Sequence, residues 1–61
     1  MKITYDQQVD ILSIELTDAE IEESDEDKPG LILDYDADEN VVSIEILDAS
    51  KRIGDPMAVV G

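Results

Sequence analysis

Three separate stretches of this chain alternate apolar and polar side chains with a period of two, and that pattern limits the fold more than any other feature. At residues 11–16, Leu12, Ile14 and Leu16 fall on one side while Ser13 and Glu15 fall on the other. Residues 31–36 repeat the pattern with Leu31, Leu33 and Tyr35, and residues 41–48 with Val42, Ile44 and Ile46. Successive side chains of a β-strand point to opposite faces, so this period marks strands buried on one side, whereas an amphipathic helix repeats every 3.6 residues. Residues 2–5 add a short strand that places Ile3 and Tyr5 together.

The connections read as hairpin turns. Residues 6–9 turn the first strand into the second. Residues 37–40 join the two later strands, with Asn40 suited to a left-handed conformation. A four-residue loop there sets Asp36 opposite Val41, Tyr35 opposite Val42, Leu33 opposite Ile44 and Leu31 opposite Ile46. Side-chain parity and loop length are independent observations, and both put the aliphatic residues on one face.

The segment 17–30 reads as an acidic connector. Of the chain's 17 acids, eight lie between Glu15 and Asp27, with no base among them. Ile21 is its one large apolar residue, so residues 20–24 could form at most a short edge strand, and the rest is expected to be disordered. Charge on such an edge discourages pairing with other chains. Lys28-Pro29-Gly30 ends the excursion with a turn. After Asp48 the alternation stops: residues 49–52 can form one helical turn capped by Asp48 or Ser50, which Gly54 and Pro56 would end. Residues 54–61 read as a flexible tail. The expected fold is a single, mainly β domain over residues 1–61: an antiparallel sheet of four to five strands built from two hairpins, with a short C-terminal helical turn. An α+β arrangement is the alternative.

Composition excludes several functions. Seventeen acids against four bases give a net charge of −13, which repels phosphates and argues against direct nucleic-acid binding. The chain has no Cys and no His, hence no disulfide and no thiolate or imidazole for zinc or nucleophilic catalysis. No cofactor is implied. With no apolar run of 18 residues and an acid already at position 6, neither a membrane span nor a signal peptide is expected, so a cytoplasmic location is the default. Paired carboxylates could in principle do acid–base work, but they need a cleft with unequal environments, which a chain of this length hardly builds. The chain is therefore read as a non-enzyme.

One motif stands out among the acids. Residues 34–45 place Asp34, Asp36, Asp38, Asn40 and Glu45 at positions 1, 3, 5, 7 and 12 of a calcium-loop spacing. Position 6 holds Glu39 rather than the glycine that such a loop requires, and the flanks read as strands. Asp34, Asp36, Asp38 and Glu45 form the candidate metal set, against the plainer reading of a polar hairpin turn.

The opening Met1-Lys2-Ile3-Thr4-Tyr5-Asp6, the strand with Asp10, Leu12 and Ile14, the run from Pro29 to Asp36, and the run from Val42 to Ser50 together resemble domain-of-unknown-function family 2283, a group of short prokaryotic proteins. The resemblance covers nearly the whole chain and implies a small β-rich domain with no established activity. Such proteins look like occasional neighbours of small toxin-like proteins, which implies antitoxin-like binding. The chain departs from the family in having Glu39-Asn40 where glycine is common in the turn. The family has no agreed functional residues, so none are carried over.

The aliphatic face has no long amphipathic helix in its own chain to cover it, and an open sheet must bury such a face. The sequence therefore points to an interaction module, acting as a homodimer or with a small basic protein. Glu20, Glu22, Glu23, Asp25, Glu26 and Asp27 are the candidate contacts to a basic partner. A divalent-metal or small-molecule domain, and a purely structural dimer, are the competing readings.

Overall fold

The computed structural model describes residues 1–60. Five strands, β1 (Lys2–Asp6), β2 (Ile11–Glu15), β3 (Glu23–Lys28), β4 (Leu31–Tyr35) and β5 (Val41–Leu47), are followed by two short helices, α1 (Ala49–Ile53) and α2 (Pro56–Val60). The strands form one sheet in the order β1-β2-β5-β4-β3, and every pairing is antiparallel. The expected mainly β architecture holds: the β1–β2 and β4–β5 hairpins join through β2 and β5, and β3 adds an edge.

The registers connect residues into continuous rows. On one face Ile3, Ile14, Ile44, Leu33 and Asp25 lie side by side across all five strands, and Tyr5, Leu12, Ile46, Leu31 and Lys28 form the next row. On the other face runs a polar row of Lys2, Glu15, Ser43, Asp34 and Ser24, next to Thr4, Ser13, Glu45, Ile32 and Glu26. The parity expected for the β4–β5 hairpin is correct at Leu33–Ile44 and Leu31–Ile46. It fails near the turn, where the register shifts and Tyr35 pairs with Val41 rather than Val42. The turn explains the shift. Glu39, not Asn40, takes the left-handed conformation (φ 64), while Asp36 Oδ1 accepts from Asp38 N and Asn40 N, both at 2.9 Å. These bonds draw the loop toward Asp36, and the adjoining pair takes up the extra residue as a bulge.

Three other expectations change. The edge strand lies at Glu23–Lys28, not 20–24, so much of the acidic connector is ordered. Charge lowers strand propensity but does not forbid a strand, because each β3 residue is exposed and needs no burial. Pro29 with Gly30 at φ 82 closes a tight turn to β4, and Gly30 N donates to Glu26 Oε2 at 2.9 Å. Leu16, assigned to the inward face, lies beyond β2 and is exposed. The supposed flexible tail contains α2. Pro56 suits a first helical position, where its missing N–H costs nothing, and Asp55 caps it by accepting from Met57 N at 3.1 Å.

α1 is anchored from outside its own segment. Asp48 precedes it in a left-handed conformation (φ 52) with no side-chain cap bond. Asp10 takes over: its Oδ1 accepts from Ser50 N at 3.0 Å, its Oδ2 from Ser50 Oγ at 2.7 Å, and its backbone oxygen from Ala49 N at 3.0 Å. Arg52, from the same helix, donates to the Pro29 carbonyl and so ties α1 to the β3–β4 turn. α2 packs on β1.

Fully buried apolar side chains are few: Leu12, Val42, Ala49 and, at the start of α2, Pro56. Ile3, Ile14, Leu31, Leu33, Ile44 and Ile46 are only half-buried. No helix among the described residues is long and apolar enough to cross a membrane.

Candidate functional site

Two places in the sheet carry distinctive side-chain arrangements, one on each face. On the polar face, Asp34 is 1% exposed in the middle of β4. A buried carboxylate survives only when its oxygens are satisfied. Ser24 Oγ, across the β3–β4 pair, donates to Asp34 Oδ1 at 2.6 Å, and Ser43 Oγ, across the β4–β5 pair, donates to Oδ2 at 2.5 Å. Both serines stand directly opposite Asp34 in their registers, so one carboxylate clamps three strands. Glu45, two residues along β5 from Ser43, shares a hydrogen bond with Asp34.

The two carboxyls titrate apart. Burial works against ionisation of Asp34, but the Ser24 and Ser43 hydroxyls and the Glu45 carboxyl outweigh it, so its pKa falls below the usual carboxylate value. Glu45 moves up, first because it donates its proton to Asp34, then through burial and the neighbouring negative charge. Above them lies an open cavity of about 260 Å³, whose lining includes Ser13, Glu15, Ala19 and Ile21 besides the two carboxyls. Ala19 and Ile21 come from the β2–β3 crossover, which therefore passes over this face. Unequal carboxyls are a signature of acid–base sites. Here, though, both Asp34 oxygens are engaged with serine hydroxyls, and the group holds strands together.

The candidate metal residues separate into two places. Asp34 and Glu45 meet on the polar face, whereas Asp36 and Asp38 lie at the hairpin mouth. The Asp36 oxygens receive Asp38 N, Asn40 N and, at 3.4 Å, Asn40 Nδ2. These bonds, led by the one from the Asn40 backbone, lower the Asp36 pKa. Among the described residues, no group of three or more acids is arranged to hold a metal ion.

On the opposite face, the aliphatic row ends in acids. Register places Glu23 opposite Tyr35 and Asp25 opposite Leu33. Glu23, Asp25, Tyr35 and Glu39 line an open notch of about 700 Å³, together with Ser24. Of the six acids read as partner contacts, β3 therefore turns Glu23 and Asp25 toward the aliphatic face and Glu26 toward the other. Asp27 sits at the irregularity between Glu26 and Lys28, and Glu20 and Glu22 precede the strand. The sequence located the acids but not this division, because β3 has no alternation of its own; only its register with β4 reveals it.

A third group, Tyr5–Asp10–Ser50, is structural. Tyr5 Oη donates to Asp10 Oδ1 at 2.6 Å, which raises the Tyr5 pKa and lowers that of Asp10, with Ser50 adding to the latter shift.

Residues 2–50, most of the chain and all five strands, match the family model described as a protein of unknown function (DUF2283). The chain belongs to that family. No curated protein and no solved structure matches it. In this DUF2283 member the matched span includes Asp10, Asp34, Glu45 and Ser50, and it ends within α1 before α2 begins.

Proposed function

We propose that this DUF2283 protein is a non-enzymatic protein-interaction module whose aliphatic sheet face is covered by another polypeptide, in the cytoplasm. One observation carries the reading. Four aliphatic residues in a row, Ile3, Ile14, Ile44 and Leu33, span four strands and remain only half-buried, while within the sheet only Leu12 and Val42 are fully buried apolar side chains. The chain covers part of this face itself, since Leu12 in the next row is fully buried and α2 packs on β1, but the Ile3–Ile14–Ile44–Leu33 row keeps solvent exposure that a second layer would remove. Burying each half-exposed aliphatic side chain contributes on the order of 1 kcal/mol. That gain is large against the stability of a short chain.

The covering layer is either a second copy, giving a homodimer, or a basic partner, of which a small toxin-like protein would be an antitoxin-like case. The clamp on the polar face supports the non-enzymatic part, since Asp34 has no free oxygen to offer a substrate. The test is Ile44→Glu, which puts a charge in the centre of the row. Analytical ultracentrifugation of the pure protein and co-purification from the native host should both be compared with wild type. Loss of self-association or of a co-purifying protein is the expected result. A wild type that is a folded monomer, retains nothing, and binds no more of an apolar-surface dye than the variant overturns the reading.

A further inference from the structure

The charge at the end of the aliphatic row decides which covering layer fits. We infer that the face takes a basic amphipathic polypeptide segment, laid along the Ile14–Ile44–Leu33 row with a lysine or arginine seated in the notch of Glu23, Asp25, Tyr35 and Glu39. This rests on the proposal that the face is an interface, and adds the chemistry of its occupant.

The argument begins with register. Asp25 stands beside Leu33 and Glu23 beside Tyr35, so two β3 carboxylates project on the same side of the sheet as the aliphatic row. Glu39 reaches the same notch from the β4–β5 turn, where its left-handed backbone places it. Carboxylates from two elements thus flank one aromatic ring, beside an apolar strip. A cation held there gains three negative charges and the face of Tyr35, while the aliphatic part of its side chain covers apolar surface. A carboxylate placed there would be repelled.

A second copy fits less well. Each copy has a net charge of −13. When two such sheets face each other about a two-fold axis along the strands, the β3 end of one lies over the β1 end of the other. There the rows end in Ile3 and Tyr5, which offer no cation to Glu23 or Asp25. An axis across the strands instead sets β3 over an antiparallel β3, where one Lys28 from each copy meets two acids, Glu23 and Asp25, so the contact keeps an excess of negative charge. Charge complementarity therefore selects a basic partner over self-pairing.

The probe is a fluorescein-labelled amphipathic peptide of leucine and arginine, titrated with the full chain and read by anisotropy and by backbone amide shifts in NMR. Binding should weaken at least about tenfold between about 50 and 300 mM salt. Glu23→Gln/Asp25→Asn/Glu39→Gln should weaken it at least about fivefold more than Glu20→Gln/Glu22→Gln/Glu26→Gln, which removes equal charge away from the notch. Amide shifts should gather at Leu33, Tyr35, Ile44 and β3. Equal losses in the two triple variants overturn the inference, since the peptide then sees only net charge. A salt-insensitive homodimer broken by Ile44→Glu also overturns it, but leaves the interaction-module proposal standing. A wild type that neither self-associates nor binds the peptide, and takes up no more apolar-surface dye than Ile44→Glu, removes the parent proposal as well.

Discussion

Replacing Asp34 by alanine should be among the most damaging single changes in this protein, for reasons that give its size. The carboxylate accepts from Ser24 and Ser43 and is itself 1% exposed, and Ser43 is 6% exposed. Alanine removes both acceptors. The Ser43 hydroxyl is left buried without its partner, at about 1–3 kcal/mol, while the exposed Ser24 recovers water and loses about 1 kcal/mol. Release of Glu45 from a negative neighbour returns some of this, up to about 1 kcal/mol. The net expectation is a loss of about 1–4 kcal/mol, a large share of the roughly 3–9 kcal/mol available to a chain of this length.

Urea unfolding followed by far-ultraviolet circular dichroism at pH 7 measures it, and four variants give the shape of the result. Asp34→Asn should stay within about 1 kcal/mol of wild type, because its oxygen accepts from one serine while its amide donates to the other. Ser43→Ala should cost more than Ser24→Ala, since only the first strips a donor from the buried side of the carboxylate. An Asp34→Ala loss below about 0.5 kcal/mol would refute the clamp. So would an Asp34→Asn loss equal to that of alanine, which would assign the effect to charge rather than to hydrogen bonding.

Glu45→Gln should raise the melting temperature at pH 7 and lose that advantage in acid. The raised folded pKa of Glu45 gives stability that is fully present below its unfolded value and lost as pH rises through the folded one, so ionised Glu45 is a burden at neutrality. Asp34 works the other way: its lowered pKa gives stability present above the unfolded value and lost as pH falls through the folded one, and Asp34→Asn should flatten the acid limb of a thermal-melt series. Asp10→Asn should lower the melting temperature by weakening the anchor of α1. In a Tyr35→Phe background it should also return Tyr5 ionisation, followed by ultraviolet absorbance, toward the ordinary tyrosine value. Glu39→Gly should stabilise the protein by about 0.5–1 kcal/mol in urea melts, because Glu39 holds a left-handed backbone that glycine adopts without steric cost.

What the sequence made legible was whatever local periodicity controls. The alternation at residues 11–16, 31–36 and 41–48 gave three strands and the Leu33–Ile44 and Leu31–Ile46 pairs, since a one-residue slip would have turned an aliphatic face outward. β3 was misplaced because an exposed acidic edge strand carries no burial pattern; its neighbour β4 supplies the order. Tyr35 was mispaired because the loop's geometry depends on Asp36 accepting backbone N–H groups, a preference that side-chain parity does not encode. α2 was missed when Pro56 was read as a terminator, although Asp-Pro also starts helices. The Asp34–Ser24–Ser43 clamp joins residues from three strands and becomes visible only when the β3–β4 and β4–β5 registers are known together. Its one local signal was Asp34 itself, a carboxylate in the middle of an otherwise apolar strand.

The acidity of β3 serves two purposes that pull against each other. An edge strand offers unpaired backbone groups to any passing chain, and like charges along it prevent a second β3 from pairing there. The opposite edge, β1, carries few charges but is packed by α2, so covering does at that edge what charge does at β3. Yet alternation forces about half of the β3 side chains onto the aliphatic face, and Glu23 and Asp25 land beside Tyr35 and Leu33. The device that protects the edge thereby puts an acidic boundary on the face. A partner seated on that face must carry positive charge at the β3 side and apolar side chains along the Ile14–Ile44 row. Neutralising Glu23 and Asp25 as glutamine and asparagine, while Glu26 and Asp27 keep the edge charged, would ease that requirement without touching the Ser24–Asp34 bond.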